Sequence, residues 1–386
     1  MLNRILIAPD GFKESLTAKK VANHLSRGIR KIAPDMDIRI LPMADGGEGT
    51  VRSLVDATSG KIRKIEVHDP LMRRTESFFG MLGDGKTAVI EMAAASGLEL
   101  LETEERDPAI TTTYGTGELI TAALDEGVER IIIGIGGSAT NDGGAGMAEA
   151  LGVKFRDEKG NAVKKGGIHL HEIRKIDVTS LHKRVGDVKI EVACDVNNPL
   201  YGKNGAAYIY AGQKGADQET IRELDKNLRH FAGVVKKQIG KDISKTPGSG
   251  AAGGLGGGLV AFLGAELKPG MEIIEKVTHL EDHVRWADLV ITGEGKMDAQ
   301  TQHGKTPFGV ARVAKDFGRP VISFAGSLEK GYEELYQAGF DVIFPIAEKP
   351  MSLQESLDQA GKLLEKAAER MMKTLLLEFP KRVKTN

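Results

Sequence analysis

Apolar and polar positions along this chain follow two rhythms. Near the N-terminus the apolar run Arg4-Ile5-Leu6-Ile7-Ala8 stops at Pro9 and predicts a short strand. Beyond the loop Asp10–Ser15, apolar residues recur at helical spacing at Ala18, Val21, Ala22, Leu25, Ile29 and Ile32. This spacing predicts a helix that starts near Thr17 and is closed by Pro34. The pattern repeats with strand Asp37–Met43, loop Ala44–Gly49 and a helix through Val51, Leu54 and Val55. Strand, loop and helix in alternation predict a parallel sheet with helices on its faces.

From about Lys61 to Lys245 the rhythm loosens. Ile62–Val67 and Thr75–Met81 read as antiparallel strands, Thr87–Met92 as a further strand and Glu118–Leu124 as helix. The β-branched run Ile131-Ile132-Ile133 predicts a buried strand, followed by a glycine turn and a helix from Gly146 that ends at Gly152. Val188–Ala193 reads as a strand ending at Cys194-Asp195, and the glycine-rich loop Gly248–Gly258 runs into an apolar helix.

Near Asp288 the first rhythm returns. Strand Leu289–Thr292, loop Gly293–Asp298 and a helix with Pro307 at its first position lead to strands Pro320–Phe324 and Asp341–Phe344. Ser352 and Glu355 form a capping box for a last helix through Leu363, Leu364, Met371 and Met372. The expected fold class is therefore α/β. Residues 1–66 and 271–386 form a doubly wound, Rossmann-like parallel-sheet domain, and residues 67–270 form an inserted mixed α/β domain with glycine-rich loops.

Composition narrows the function classes. At 386 residues the chain can bury two cores, and a net charge of −1 gives no electrostatic footprint for nucleic acid or an anionic membrane. No segment approaches the ~20 apolar residues of a membrane helix, and the N-terminus lacks the apolar run of a signal peptide. A single cysteine, Cys194, fits a reducing compartment. The expectation is a cytoplasmic protein acting on a small molecule, with self-association left open.

The chemistry gathers at strand ends. Parallel sheets bind ligands at the carboxyl ends of their strands, and four such ends carry glycine beside charge or hydroxyl: Asp10/Lys13/Ser15, Asp45/Gly46/Glu48, Glu294/Lys296/Asp298 and Gly326/Ser327. Turn chemistry alone explains Asp, Gly and Ser, but does not require lysine and carboxylates at successive ends. The stretch Gly134–Gly144, with Gly136, Gly137, Ser138, Asn141 and Asp142, joins a strand to a helix N-terminus and makes an anion site. Carboxylates converging on such a cleft suit a magnesium nucleotide. Asp10, Asp45, Asp195 and Asp298 are candidates for base and metal ligands, and Lys13 for a substrate carboxylate or the transferring phosphoryl group.

Other signals carry less. Ala299–Thr306 is a near-miss to a P-loop, with alanine where the first glycine belongs. Gly134–Ala139 with Asp157 matches a dinucleotide fingerprint, but Asn141-Asp142-Gly143-Gly144 falls where that helix should already run. His279 and His283 read as one solvated helix face, His169 and His171 as a surface strand, and Trp286 as core.

The blocks APDGFKESLTA (Ala8–Ala18), ADGGEGT (Ala44–Thr50), IEMAAASGL (Ile90–Leu98), YGTGELI (Tyr114–Ile120), GIGGSATNDGGAGMAEALG (Gly134–Gly152), ACDVNNPLYG (Ala193–Gly202), AAGGLGGGL (Ala251–Leu259) and DLVITGEGKMDAQTQHGKTP (Asp288–Pro307) resemble those of bacterial glycerate kinases. The similar branch is the one distinct from the MOFRL-domain proteins. Met72-Arg73-Arg74 departs from it where a glycine is usual. The resemblance implies ATP- and Mg²⁺-dependent phosphorylation of D-glycerate in an interdomain cleft, with 2- and 3-phosphoglycerate both open as product.

On that resemblance, Lys13 would hold the glycerate carboxylate among Asp10, Ser15, Gly46, Gly47 and Glu48. Asp195, or second Asp45, would accept the hydroxyl proton, and Glu294 and Asp298 would hold Mg²⁺. Gly136, Gly137, Ser138, Asn141, Asp142, Gly254, Gly256 and Lys305 would meet the nucleotide phosphates. The rival readings are an NAD(P)-dependent dehydrogenase of a small hydroxy acid and a non-catalytic sugar-phosphate sensor.

Overall fold

A computed structural model describes residues 2–302 and 304–377; His303 of the P-loop-like stretch and the end of the expected first domain, 378–386, lie outside them. In chain order the strands are β1 Arg4–Ile7, β2 Asp37–Ile40, β3 Lys61–His68, β4 Arg74–Met81, β5 Thr87–Glu91, β6 Arg130–Gly134 and β7 Lys154–Arg156. They continue as β8 Lys175–Asp177, β9 Lys189–Ala193, β10 Glu266–Lys268, β11 Leu289–Met297, β12 Val321–Leu328 and β13 Val342–Pro345. The chain divides into two units, Met1–Ala44 with Glu275–Asn386, and Asp45–Ile274. Among the described residues no helix is long and apolar enough to cross a membrane.

The first unit is a five-stranded sheet in the order β13-β12-β11-β1-β2, with every pair parallel. The chain steps outward from β1 to β2, and β11 then enters on the other side of β1. The winding direction therefore reverses between β1 and β11, which is where open α/β sheets form a ligand crevice. Helices Ala18–Ile32 and Leu353–Leu375 bury Val21, Leu25, Ile29, Leu363, Leu364 and Met371 against Ile5, Ile7, Ile291 and Phe324. Both starts are capped as the sequence indicates. The Thr17 hydroxyl accepts the Lys20 N–H, and Ser352 and Glu355 exchange side-chain-to-backbone bonds of 3.2 and 2.9 Å.

The second unit is a six-stranded sheet, β10-β9-β6-β5-β4-β3. Its β10, β9, β6 and β5 run parallel, and β4 and β3 join antiparallel. Glu191 fastens the parallel part. Its carboxylate, 4% exposed, pairs with Arg130 of β6 at 2.6 Å and Lys268 of β10 at 2.7 Å. Burial works against that charge, but these two cations and Lys189, 3.3 Å away, outweigh it and hold the carboxyl at about 2.

Several expectations change. The unit boundary falls after Ala44, because Lys61–His68 pairs along its length with β4 and so belongs to the second sheet. A 22-residue helix, Gln218–Ile239, goes unannounced in the sequence reading although Ile221, Leu224, Leu228, Phe231 and Val235 form a helical stripe. His279, at φ +52°, breaks the chain between helices Gly270–Thr278 and Leu280–Trp286, so it shares no helix face with His283. Residues His169 and His171 lie in a 3₁₀ turn rather than a strand. Trp286 is half-buried under the Arg39 guanidinium, 4.0 Å from the ring centre, rather than in a core.

Gly28 sets the approach of the two capped helices. A Cβ there would collide with the Glu365 carbonyl and lie 2.9 Å from the Ala368 Cβ. Alanine is the better helix former by about 1 kcal/mol, so helix propensity alone would make Gly28→Ala stabilising. Overpacking of a close contact costs about 1–3 kcal/mol and should win. We expect a lower urea midpoint for this variant at unchanged m; an equal or higher midpoint would show that the helices have slack.

Candidate active site

In the second unit the adjacent parallel strands β6 and β9 end side by side, and their following loops line a cavity of about 300 Å³. From β6 come Ile135, Gly136, Gly137 and Ser138, and from β9 come Cys194, Asp195 and Val196. Asp45, Gly46 and Gly47 form another part of the wall. Gly46 can lie across the end of β9 only because it lacks a side chain. Its φ is +94°, and a Cβ would come within 2.6 Å of the Ala193 Cβ.

Asp195 is an exposed residue that lines the cavity. One carboxylate oxygen accepts the Gly270 N–H at 2.9 Å. Desolvation lifts its pKa above the ordinary aspartate value, the nearby negative charge of Asp45 adds to the rise, and the Gly270 bond opposes it. Asp45 accepts the Gly47 N–H at 2.9 Å. Among the described residues neither carboxylate forms an ion pair. Such an arrangement can take a proton from a hydroxyl or face a cation.

The cavity also presents Tyr210, Gln213 and Lys214, which the sequence reading misses. They come from one π-helical turn, Ala207–Ala211, continued by the 3₁₀ turn Gly212–Lys214. Irregular turns of this kind re-aim side chains and concentrate at functional sites. Tyr210 donates its hydroxyl to Asn198 Oδ1 at 2.6 Å. Lys214 is 1% exposed and donates to Ser138 Oγ at 2.6 Å and to the Thr140 carbonyl at 2.7 Å. A lysine inside the weakly polar stretch Ala206–Gly215 was the available signal.

The other expected phosphate residues of this unit lie apart from the cavity wall. Asp142 is buried and accepts from Thr113 N–H at 2.8 Å, Thr113 Oγ1 at 2.9 Å, Thr112 Oγ1 at 3.2 Å, and the N–H groups of Gly144 and Gly146 at 3.1 and 3.2 Å. Asn141 is fully buried beside it. Gly254 and Gly256 are buried in backbone packing, and their neighbours Ala251 and Ala252 reach the cavity instead. Glu48 is exposed. Asp157 closes its own turn by accepting from Lys159 and Asn161 N–H, both at 2.8 Å, which engages the acid that a ribose would need.

The first unit carries a second polar cluster, at the switch between β1 and β11. The Asp10 N–H reaches the Gly293 carbonyl at 2.9 Å, and Lys13 is exposed on the loop that follows. Ser15 donates to the Leu357 carbonyl at 2.7 Å, which ties the loop to the last helix. Glu294 is buried, accepts from Thr301 Oγ1 at 2.7 Å, and faces Lys305 at 3.3 Å. Lys305 also lies 3.7 Å from Asp298. Burial raises the Glu294 pKa and the Lys305 charge opposes the rise. Among the described residues no group of three or more His, Cys, Asp or Glu side chains is placed to hold a metal. Mg²⁺ on a nucleotide needs only one or two carboxylates. The Glu294/Asp298 pair already faces two lysines, Lys305 and, 3.5 Å from Asp298, Lys296, whereas Asp45 and Asp195 face none among the described residues.

The comparisons point one way. The profile of the glycerate kinase family matches residues 5–376. The chain is 52% identical to the glycerate kinase of Halalkalibacterium halodurans over 96% of its length and 97% of that protein's. It is 50% identical to the glycerate 2-kinase of Escherichia coli K12, covering 97% of this chain and 98% of that one. A crystal structure of a candidate glycerate kinase 2 from Salmonella typhimurium LT2 superposes with a TM-score of 0.90 at 49% identity, covering 97% of this chain and 98% of that chain.

Asp142 should prove structural. Replacing it by alanine strands the Thr113, Gly144 and Gly146 donors inside the protein, at about 1–3 kcal/mol for each unsatisfied group. We expect urea unfolding of Asp142→Ala to show a loss of at least about 3 kcal/mol. A loss under about 1 kcal/mol would mean that the carboxylate is free for a ligand.

Proposed function

Because the chain belongs to the glycerate kinase family and is a phosphotransferase using ATP as donor, we propose that the cavity at the ends of β6 and β9 activates the glycerate hydroxyl. The observation that supports this most is Asp195. It has one oxygen fixed by the Gly270 N–H, no cationic partner among the described residues, and a pKa lifted by partial desolvation and by Asp45. Phosphoryl transfer asks mainly for positioning and a base near the attacking hydroxyl. Asp195 is that base, D-glycerate is the acceptor, and Gly136, Gly137 and Ser138 supply donors for anionic oxygens.

Asp45 is the carboxylate best suited to meet the magnesium of the nucleotide, ahead of Glu294 and Asp298, because no lysine neutralises it. Bound there, the cation would offset negative charge on the donor phosphates. Lys13 and Lys305 are candidates for phosphate or carboxylate contacts in the first unit. The Escherichia coli relative is named a glycerate 2-kinase, and we extend that regiochemistry to this chain, with the C2 hydroxyl as acceptor and 2-phosphoglycerate as product.

ADP release from Mg-ATP should depend on D-glycerate and not on L-glycerate, and phosphorus NMR should place the product phosphate on C2. Asp195→Asn should lower kcat by about 10²–10⁴-fold with the fold retained by circular dichroism. In the wild type kcat/KM should fall on the acid side with a midpoint above the usual aspartate value of about 3.9, since a base is active only when deprotonated. That limb should vanish in the variant. Near-normal turnover in Asp195→Asn would remove Asp195 from the chemistry.

A further inference from the structure

The most deeply buried charge-bearing group at the cavity is used by no step above. Lys214 Nζ has three N–H donors. Two go to neutral acceptors, Ser138 Oγ and the Thr140 carbonyl. No carboxylate forms an ion pair with it among the described residues. Asp142 acts on it only through space, and the Asp142 oxygens are already engaged by Thr112, Thr113, Gly144 and Gly146. A buried ammonium without a counter-charge is expensive, and an irregular π-to-3₁₀ turn is spent on placing it at the wall of a reactant cavity.

We propose that the Lys214 ammonium, together with the Ser138 hydroxyl and the exposed Gly136-Gly137 backbone, is the receptor for an anionic oxygen of the reactants. The inference rests on the function proposed above and adds to it the group that supplies the positive charge. The shared chemistry is an oxyanion, borne either by the glycerate carboxylate or by a phosphoryl group. Lys214 touches the ligand directly in this role, whereas Thr140 positions it.

Without ligand, burial pulls Lys214 down to about 7, with Asp142 opposing. An oxyanion placed beside it favours the charged form, so binding above that value draws in a proton. The other titratable groups lining the cavity are Asp45, Asp195, Cys194 and Tyr210. A signal from either carboxylate would survive in Lys214→Met, which keeps both. Cys194 and Tyr210 are pushed up by burial and stay protonated.

The test is calorimetric titration of the full chain at pH 8 in two buffers of different ionisation enthalpy, with turnover of D-glycerate measured on the same preparation. We expect uptake approaching one proton per site, and an affinity that weakens up to tenfold per pH unit above 7. Uptake with D-glycerate alone assigns the carboxylate to Lys214. Uptake only with inorganic phosphate or a non-hydrolysable Mg-ATP analogue assigns the phosphoryl group. Lys214→Met should abolish the uptake and raise the KM of the corresponding reactant at least tenfold. Ser138→Ala, which keeps the lysine, should raise that KM less and retain the uptake. Wild-type turnover of D-glycerate without proton uptake from any of the three probes would overturn the assignment. A wild type that phosphorylates no glycerate would instead overturn the proposed function, and the inorganic phosphate titration would still decide whether Lys214 binds an oxyanion.

Discussion

The glycine-rich half of this protein hangs on one buried carboxylate. Asp142 gathers donors from the segment at Thr112 and Thr113 and from the start of the helix Ala145–Ala150, so two stretches about thirty residues apart are fixed to one point. With Asp142 fixed, the run from Gly136 to Thr140 has little freedom, and Ser138 and the Thr140 carbonyl are presented to Lys214. A loop this rich in glycine would otherwise be among the costliest stretches to order, since glycine loses the most backbone freedom on folding. The anion-binding geometry of the cavity is therefore a consequence of a structural acid set behind it.

Asp195 and Glu294 both have raised pKa values for the same first reason, desolvation, and still suit different work. Glu294 is buried with a threonine hydroxyl on one oxygen and Lys305 opposite the other, so its charge is answered inside the protein. Asp195 has a backbone N–H on one oxygen and the negative Asp45 as neighbour. A carboxylate whose nearest charge is of its own sign gains from taking a proton or meeting a cation; one already paired with lysine gains from neither. Counter-charge and exposure together separate the two sites: Glu294 is buried and paired, whereas Asp195 is exposed with no cation beside it among the described residues.

Much of this was legible in the sequence. The β1, β5, β6 and β9 strands, the capped helices beginning at Ala18 and Leu353, and the loops holding Asp45 and Asp195 all rest on local signals of period, cap and turn. What escaped depends on pairing or burial at a distance. Residues 45–66 read as part of the first domain although Ile62–Val67 and Thr75–Met81 pattern as antiparallel strands, because the local pattern does not show that β4 joins β5 and so carries β3 into the second sheet. Asp142 looks like a turn residue facing a ligand until its five donors are seen. Lys214 is an ordinary lysine before a glycine, and only the π-helical turn upstream makes it a buried one. The helix Gln218–Ile239 is the exception, since its stripe of apolar residues and its Asp217 cap were in plain view.

Lys214 also ties stability to ligand binding with opposite slopes in pH. Its folded pKa of about 7 lies below the ordinary lysine value of 10.5, so between those values the unfolded chain binds more protons than the folded one. The stability penalty from burying this group is therefore full below pH 7, shrinks as pH rises through the window, and is gone above 10.5. Oxyanion affinity runs the other way, because it needs the ammonium that rising pH removes. A residue kept only to pin the loop would be selected for the first slope and could be replaced by a neutral donor. A lysine that destabilises the empty protein near neutrality, and is relieved when an anion arrives, makes sense only if the occupied state is the one that matters.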